Sequence, residues 1–204
     1  MITIIDYGLG NINAFVNVYE RLNIKTKVAH TAADILDAKK IILPGVGAFD
    51  YAMSQLNASG MREELEKQVL INKIPVVGIC VGMQMLAKSS DEGKLPGLGW
   101  IEGEVKLFDA HLIPYKTRLP HMGWNSINPV NSSKLLLGFN VQSRFYFLHS
   151  YYFACYNEMN VLSTTEYGIT YASAVAKENI YGIQFHPEKS HANGIELLHN
   201  FAKL

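Results

Sequence analysis

PVVGICVGMQML, residues 75–86, carries an unbroken apolar run into a cysteine held between two glycines. The run IPVVGI (74–79) has no polar alternation, which fits a central strand covered on both faces. Cys80 is therefore predicted at the carboxyl edge of that strand, where open α/β sheets bind their ligands. Upstream, short apolar strands alternate with helical patterns: ITIID (2–6), NINAFVNVYERL (11–22), IKTKVA (24–29), TAADILD (31–37) and KIILP (40–44), then the helical AFDYAMSQL and GMREELEKQVLI. This alternation predicts an α/β fold with a parallel sheet and helices on both sides. From Gly97 the chain turns β-rich in GWIEGEVKLF, RFYFLHSYYF, NVLSTTEYG, ITYASAVAK and NIYGIQF, and it ends in the helical pattern NGIELLHNFAKL. The stretch from Phe108 to His121, with two prolines and little periodicity, reads as a loop. With 204 residues, about half of them apolar, and no linker or repeat, residues 1–204 are expected to form a single domain.

Charge and cysteine content narrow the function classes. Basic and acidic residues balance at 18 each, so no one-sided field marks a nucleic-acid or membrane partner. Two cysteines, Cys80 and Cys155, are a poor basis for a disulfide framework and suit a reducing compartment. The opening MITIIDYG enters a strand pattern directly, and no uncharged run reaches the roughly 18 residues of a membrane span. A cytoplasmic chain is expected.

GICVG (78–82) has the form G-x-S-x-G with cysteine for serine, a sharp strand-to-helix turn that pushes the nucleophile into the cleft. A thiol there also meets a helix N-terminus, where the positive dipole end favours thiolate. A lone cysteine is more often core filling, but the flanking glycines favour the nucleophile. His186, closing YGIQF and followed by Pro187 and Glu188, is the best of seven histidines as its base. Extended geometry would put residues 186 and 188 on one side, so that Glu188 orients the imidazole. Nucleophile, base and orienter are then Cys80, His186 and Glu188. The N–H of Val81 is a candidate oxyanion donor, and the side-chain-poor loop PGVG (44–47) can supply a second. GLG (8–10) recurs in dinucleotide sites, but Asn13 replaces the third glycine and His30 lies where an acid belongs. With no zinc-type spacing among the histidines either, neither a metal nor a cofactor is expected.

GICVGMQML (78–86) together with QFHPEKS (184–190) resembles the class I (triad) glutamine amidotransferases, and the likeness runs over nearly the whole chain. DYGLGN (6–11), LPGVGAF (43–49), PHMGWN (120–125) and FLHSY (147–151) are similar to the glutaminase subunits of imidazole glycerol phosphate synthases. The resemblance implies a flavodoxin-like three-layer fold with a central, mostly parallel sheet, and L-glutamine hydrolysis through a thioester on Cys80. It implies that Gln84, Gly47 and the backbone around Ser150 and Tyr151 hold the glutamine, and that Val46 or Gly47 turns an N–H to the oxyanion. It also implies a heterodimer partner, a (β/α)₈ cyclase subunit, which receives the ammonia and forms imidazole glycerol phosphate and AICAR. Asn11, Asn13, Met122, Trp124 and Lys189 should face that partner. GLGWI (97–101) and RFYFL (144–148) look closer to paralogues that feed ammonia to surface-sugar amidination. A non-catalytic regulatory or binding module on the same fold is a further alternative, against which the intact Cys80, His186 and Glu188 argue, and a cysteine hydrolase of γ-glutamyl peptides is another, which would leave the Met122–Trp124 stretch without a role.

Overall fold

Val76–Cys80 (β4) is buried at every position, as its continuous apolar sequence requires of a strand covered on both faces. The structure is a computed structural model describing residues 1–204. β4 pairs in parallel with Ile41–Gly45 (β3) on one side and Ile180–Ile183 (β13) on the other. Next to β3 lies Ile2–Ile5 (β1), and beyond it Thr26–Ala29 (β2), both parallel. The order β2-β1-β3-β4-β13 sets the helices. From β1 the chain moves outward to β2 through Ile12–Arg21 (α1), whereas from β3 it moves the opposite way to β4 through Phe49–Ala58 (α2) and Arg62–Glu66 (α3). Right-handed crossovers in opposite directions place these helices on opposite faces. α1 turns Phe15, Val18 and Tyr19 inward and packs against the C-terminal helix His191–Lys203 (α5), where Tyr19 Oη donates to the Leu198 carbonyl at 3.1 Å. One contiguous apolar cluster runs from Ile2 to Phe201. No helix is long and apolar enough to cross a membrane.

Past β13 the sheet continues antiparallel through Ile169–Lys177 (β12), Tyr151–Cys155 (β10) and Gly103–Leu107 (β6) to a short parallel edge, Ser89–Ser90 (β5), with Val161–Tyr167 (β11) hairpinned onto β12 and Asn128–Pro129 (β8) paired to β11. The parallel half carries the crossover helices and the antiparallel half widens the platform beside β4. Several sequence expectations change in detail. TAADILD forms a single 3₁₀ turn, Ala32–Ile35, and GMREELEKQVLI divides into α3 and a π turn, Lys67–Ile71. RFYFLHSYYF breaks at Ser150 into two strands of different sheets. Arg144–His149 (β9) pairs with His121–Ser126 (β7) in a separate two-stranded ribbon, and β10 belongs to the main sheet. β-propensity is alike along the whole run and does not say which partner each half will meet.

Candidate active site

Cys80 closes β4 at φ 56° and ψ −114°, a left-handed conformation that strains a side-chain-bearing residue and marks a turn the fold enforces. The two flanking glycines are required by contact. A Cβ on Gly78 would collide with the Gly82 carbonyl, and one on Gly82 with the Leu43 carbonyl of β3. The backbone thus folds onto itself and onto the neighbouring strand, which turns the thiol out of the sheet. The helix that follows, Val81–Gln84 (α4), is a single turn. So short a helix sums few peptide dipoles, so the assistance expected from a helix N-terminus is small. The histidine must supply the rest.

His186 is reached differently from the sequence expectation. β13 ends at Ile183, and His186 is held by its own N–H donating to the Tyr146 carbonyl of β9 at 2.8 Å. Pro187–Lys189 is a 3₁₀ turn, so Glu188 meets the imidazole by curling back over a tight turn instead of by strand alternation. Proline fixes the φ that starts the turn. Glu188 Oε1 lies 2.9 Å from His186 Nδ1, with both side chains almost fully buried. The second carboxylate oxygen, Oε2, is buried without a hydrogen-bond partner, so the imidazolium is what compensates the charge. Burial works against a charge on His186, but hydrogen bonding and charge from Cys80 and then Glu188 overcome it and raise its pKa to about 10. At neutral pH the ring is an imidazolium set between the Cys80 sulfur and a carboxylate.

One cavity of about 250 Å³ gathers Cys80, Val81, Gln84, Val46, Gly47, Ser150, Tyr151, His186 and Lys189. Asn11 and Asn13 lie apart from it, in a hollow at the end of β1 with Asp6 and His30. Met122 and Trp124 stand exposed on the ribbon, and Trp124 stacks on His191. Three further residues belong to the site and had no role in the sequence reading. Glu92 is the only carboxylate lining the cavity, and its Oε2 accepts from the Phe49 N–H at 2.8 Å. Gln184, inside the quoted QFHPEKS, is fully buried and aims Nε2 at Cys80 Sγ across 3.8 Å. His149 lines the cavity from the end of β9. The signal for Gln184 was its place two residues before His186, which alternation puts on the same side; His149 stood inside the quoted FLHSY without a role of its own, and Glu92 had no local signal. A larger hollow of about 420 Å³ opens beside Cys155 on the antiparallel half, but no histidine lines it and it holds no comparable acid–base pair.

Gln84 is fixed as well. Its Nε2 donates to the Tyr151 carbonyl and to Gln184 Oε1, both at 3.1 Å, which commits both amide hydrogens to the protein and leaves Oε1 as its free polar atom. A buried cysteine sulfur, an imidazolium locked by a carboxylate, and a small cavity with one acid at its side can form and hydrolyse an acyl thioester.

Residues 3–204 match the family described as glutamine amidotransferase class-I. The chain is 57% identical to "Imidazole glycerol phosphate synthase subunit HisH" of Bdellovibrio bacteriovorus, covering 100% of both chains. It is 48% identical to the chain of the same name in Leptospira interrogans, again over 100% of both, and 46% identical over 100% of both to "Imidazole glycerol phosphate synthase subunit HisH 2" of Pseudomonas aeruginosa. Among solved structures, "Crystal structure of glutamine amidotransferase" superimposes with a TM-score of 0.75 at 19% identity, covering 98% of each chain. "Structure of PurLQS from Thermotoga maritima" gives 0.73 at 15% identity, covering 99% of this chain and 97% of that one. At such identities the two structures show a shared fold.

Proposed function

The chain belongs to the class I glutamine amidotransferases, and from that premise we propose that it is the glutaminase subunit of imidazole glycerol phosphate synthase, passing ammonia to a (β/α)₈ cyclase subunit. Identity of 57% across the whole of both chains to a subunit of that name carries the reading. The Cys80 thiolate attacks the side-chain amide carbon of L-glutamine, and the carbonyl oxygen takes the negative charge. The N–H of Val81 and one from Val46 or Gly47 receive it. His186 gives its proton to the departing nitrogen, ammonia leaves, and a γ-glutamyl thioester remains. The now neutral His186 draws a proton from water, which attacks the thioester and frees glutamate. Glu188 keeps Nδ1 engaged throughout. Glu92 faces the substrate's α-ammonium, Gln84 Oε1 accepts from the same end of the molecule, and the Ser150–Tyr151 backbone closes the cavity wall.

Free ammonia would protonate and escape in water, so its consumer must dock over the site. Asn11, Asn13, Met122, Trp124 and Lys189 are the proposed docking residues. Exposed Met and Trp among polar neighbours match the composition of interface centres.

The test is assembly and turnover. Co-expressed with a (β/α)₈ cyclase subunit, the chain should co-purify as a heterodimer and convert glutamine plus the phosphoribulosyl-formimino nucleotide into imidazole glycerol phosphate and AICAR. In that complex Glu92→Gln should raise the glutamine KM by about tenfold or more, since a charged hydrogen-bond partner is lost, while kcat changes less. Glutamine-dependent amidination of a sugar, with no imidazole product, would move the chain to the surface-sugar paralogues.

A further inference from the structure

The ribbon of β7 and β9 presents two unlike faces. Met122 is 60% exposed and Trp124 39%, whereas His121, directly across the ribbon from His149, is buried with it on the other face. Behind those histidines lies a continuous polar chain that the reaction does not use. Asn125 Nδ2 is 3.3 Å from His121 Nε2; His121 Nδ1 is 3.1 Å from Tyr171 Oη; Tyr171 Oη is 3.1 Å from His149 Nε2; and His149 Nδ1 is 2.7 Å from the Tyr151 carbonyl.

Both ends of this chain fix its direction. At one end, Asn125 accepts from the Ser126 N–H through Oδ1 and donates to the Glu166 carbonyl through Nδ2, so the atom facing His121 is an amide nitrogen. His121 Nε2 must accept, and its proton sits on Nδ1, directed at Tyr171. At the other end, a carbonyl can only accept. His149 Nδ1 therefore carries the proton, Nε2 accepts, and the Tyr171 hydroxyl donates to it. The two deductions meet at one hydroxyl that accepts from His121 and donates to His149, so every link is satisfied in a single sense. A protonated ring at either position would break the series. Burial drives both histidines the other way, to about 4 for His121 and about 3 for His149. The rings are also packed in place: His121 lies flat between Tyr167, at 3.9 Å, and Phe147, at 4.8 Å, and Phe108 meets Tyr171 edge-on.

The last link reaches the glutamine cavity. The Tyr151 carbonyl receives both His149 Nδ1 and Gln84 Nε2, so its two lone pairs are taken and it anchors the cavity wall instead of binding substrate. We infer that Asn125, His121, Tyr171 and His149 form a one-way hydrogen-bond relay that positions the Ser150–Tyr151 wall and ties it to the ribbon whose outer face carries Met122 and Trp124. These are positioning residues: they act on glutamine through the wall and Gln84. The inference rests on the glutaminase reading above.

The experiment compares the unaltered heterodimer with Tyr171→Phe and His149→Asn. Imidazole ¹⁵N spectra of the labelled chain in the complex should show neutral Nδ1–H rings for His121 and His149. Tyr171→Phe, which removes only the central hydroxyl, should shift both rings' signals and raise the glutamine KM about tenfold, with kcat within about threefold. His149→Asn keeps an amide nitrogen near the position of Nδ1 but loses the link to Tyr171, and should raise the KM by about as much as Tyr171→Phe. A purely structural tyrosine would lower the melting temperature and leave the KM alone. An Nε2–H tautomer at either histidine, or an unchanged KM in Tyr171→Phe, overturns the relay, and the tautomer result stands even if that variant folds poorly. The diazo-ketone analogue of glutamine separates the two levels. If it alkylates Cys80 in the unaltered protein while Tyr171→Phe leaves the KM unchanged, only the relay falls; if it fails to alkylate and no ammonia is released, the glutaminase reading falls and the relay's role with it.

Discussion

Cys80→Ala should lower glutamine-dependent ammonia release by at least about 10⁴-fold and leave both the melting temperature and cyclase binding essentially unchanged. The size follows from the covalent route. No other thiol lines the cavity, so without Sγ there is no thioester, and what remains is water attacking a bound amide. Folding is spared because alanine carries the same strain as cysteine at φ 56° and loses one small atom from a site facing a cavity. His186→Ala should approach the same loss, since in the proposed mechanism the ring is both the acid for ammonia and the base for water. Glu188→Gln should retain about tenfold to a hundredfold more activity than His186→Ala, because it weakens the imidazolium without removing it. That order is itself a check: greater damage in Glu188→Gln would mean the acid–base role had been assigned to the wrong group. The pH profile gives a second one. The His186 pKa is raised from 6.5 to about 10, so its imidazolium stabilises the fold in full below about pH 6.5, and this contribution is lost as pH climbs through about 10. The alkaline limb of kcat/KM should fall in the same region, where the proton for the leaving nitrogen disappears. Glu188→Gln should move that limb to lower pH. Ammonia release near the unaltered rate in Cys80→Ala, measured by coupled assay, would refute the thioester route.

The sequence showed the parallel half of the fold because each of its signals is local. IPVVGI is apolar enough to be a central strand on its own terms, and G-I-C-V-G states its geometry, since Gly78 is demanded by the turn's own Gly82 carbonyl and Gly82 by the parallel strand β3 that must lie beside it. His186 and Glu188 were legible as residues, but their geometry was not. Extended alternation and a 3₁₀ turn both bring position 186 beside position 188, and only the tertiary hold of Tyr146 on the His186 backbone selects the turn. The ribbon was illegible for a related reason. PHMGWN alternates weakly, with Gly123 in its middle, and becomes a strand because RFYFLH lies beside it. Glu92 and His149 enter the cavity from segments far apart in sequence, and no spacing rule relates either of them to Cys80. The buried histidine relay shows the same limit: His121 and His149 are 28 positions apart and depend on a tyrosine from a third strand, β12.

Mixing the chain with its nucleotide-loaded cyclase partner should raise glutamine turnover by about 10²–10³-fold over the isolated chain. The cause proposed is the second oxyanion donor. The PGVG loop is clamped at one end and free at the other. Gly45 pairs with Cys80 across β3 and β4, and a Cβ there would strike the Gly82 and Val81 backbone, so it cannot shift without dislodging the nucleophile turn. Val46 is 38% exposed, and Gly47 sits at φ 86° with open space around its Cβ position. A peptide between a fixed glycine and an unconstrained one can rotate at modest cost, because glycine tolerates both signs of φ. In one orientation its N–H faces the cavity and in the other it faces away. Removing one oxyanion donor costs about 10²–10³ in turnover, which sets the expected stimulation if docking biases the loop inward. Gly47→Ala should suppress the stimulation more than the basal rate, since alanine disfavours the positive φ that holds the present orientation and alters the balance docking acts on. Three assays decide it: the isolated chain, the chain with the cyclase partner, and the heterodimer with nucleotide. Equal turnover in all three would show that PGVG is a preformed donor loop, and regulation would then have to act on glutamine entry or ammonia exit.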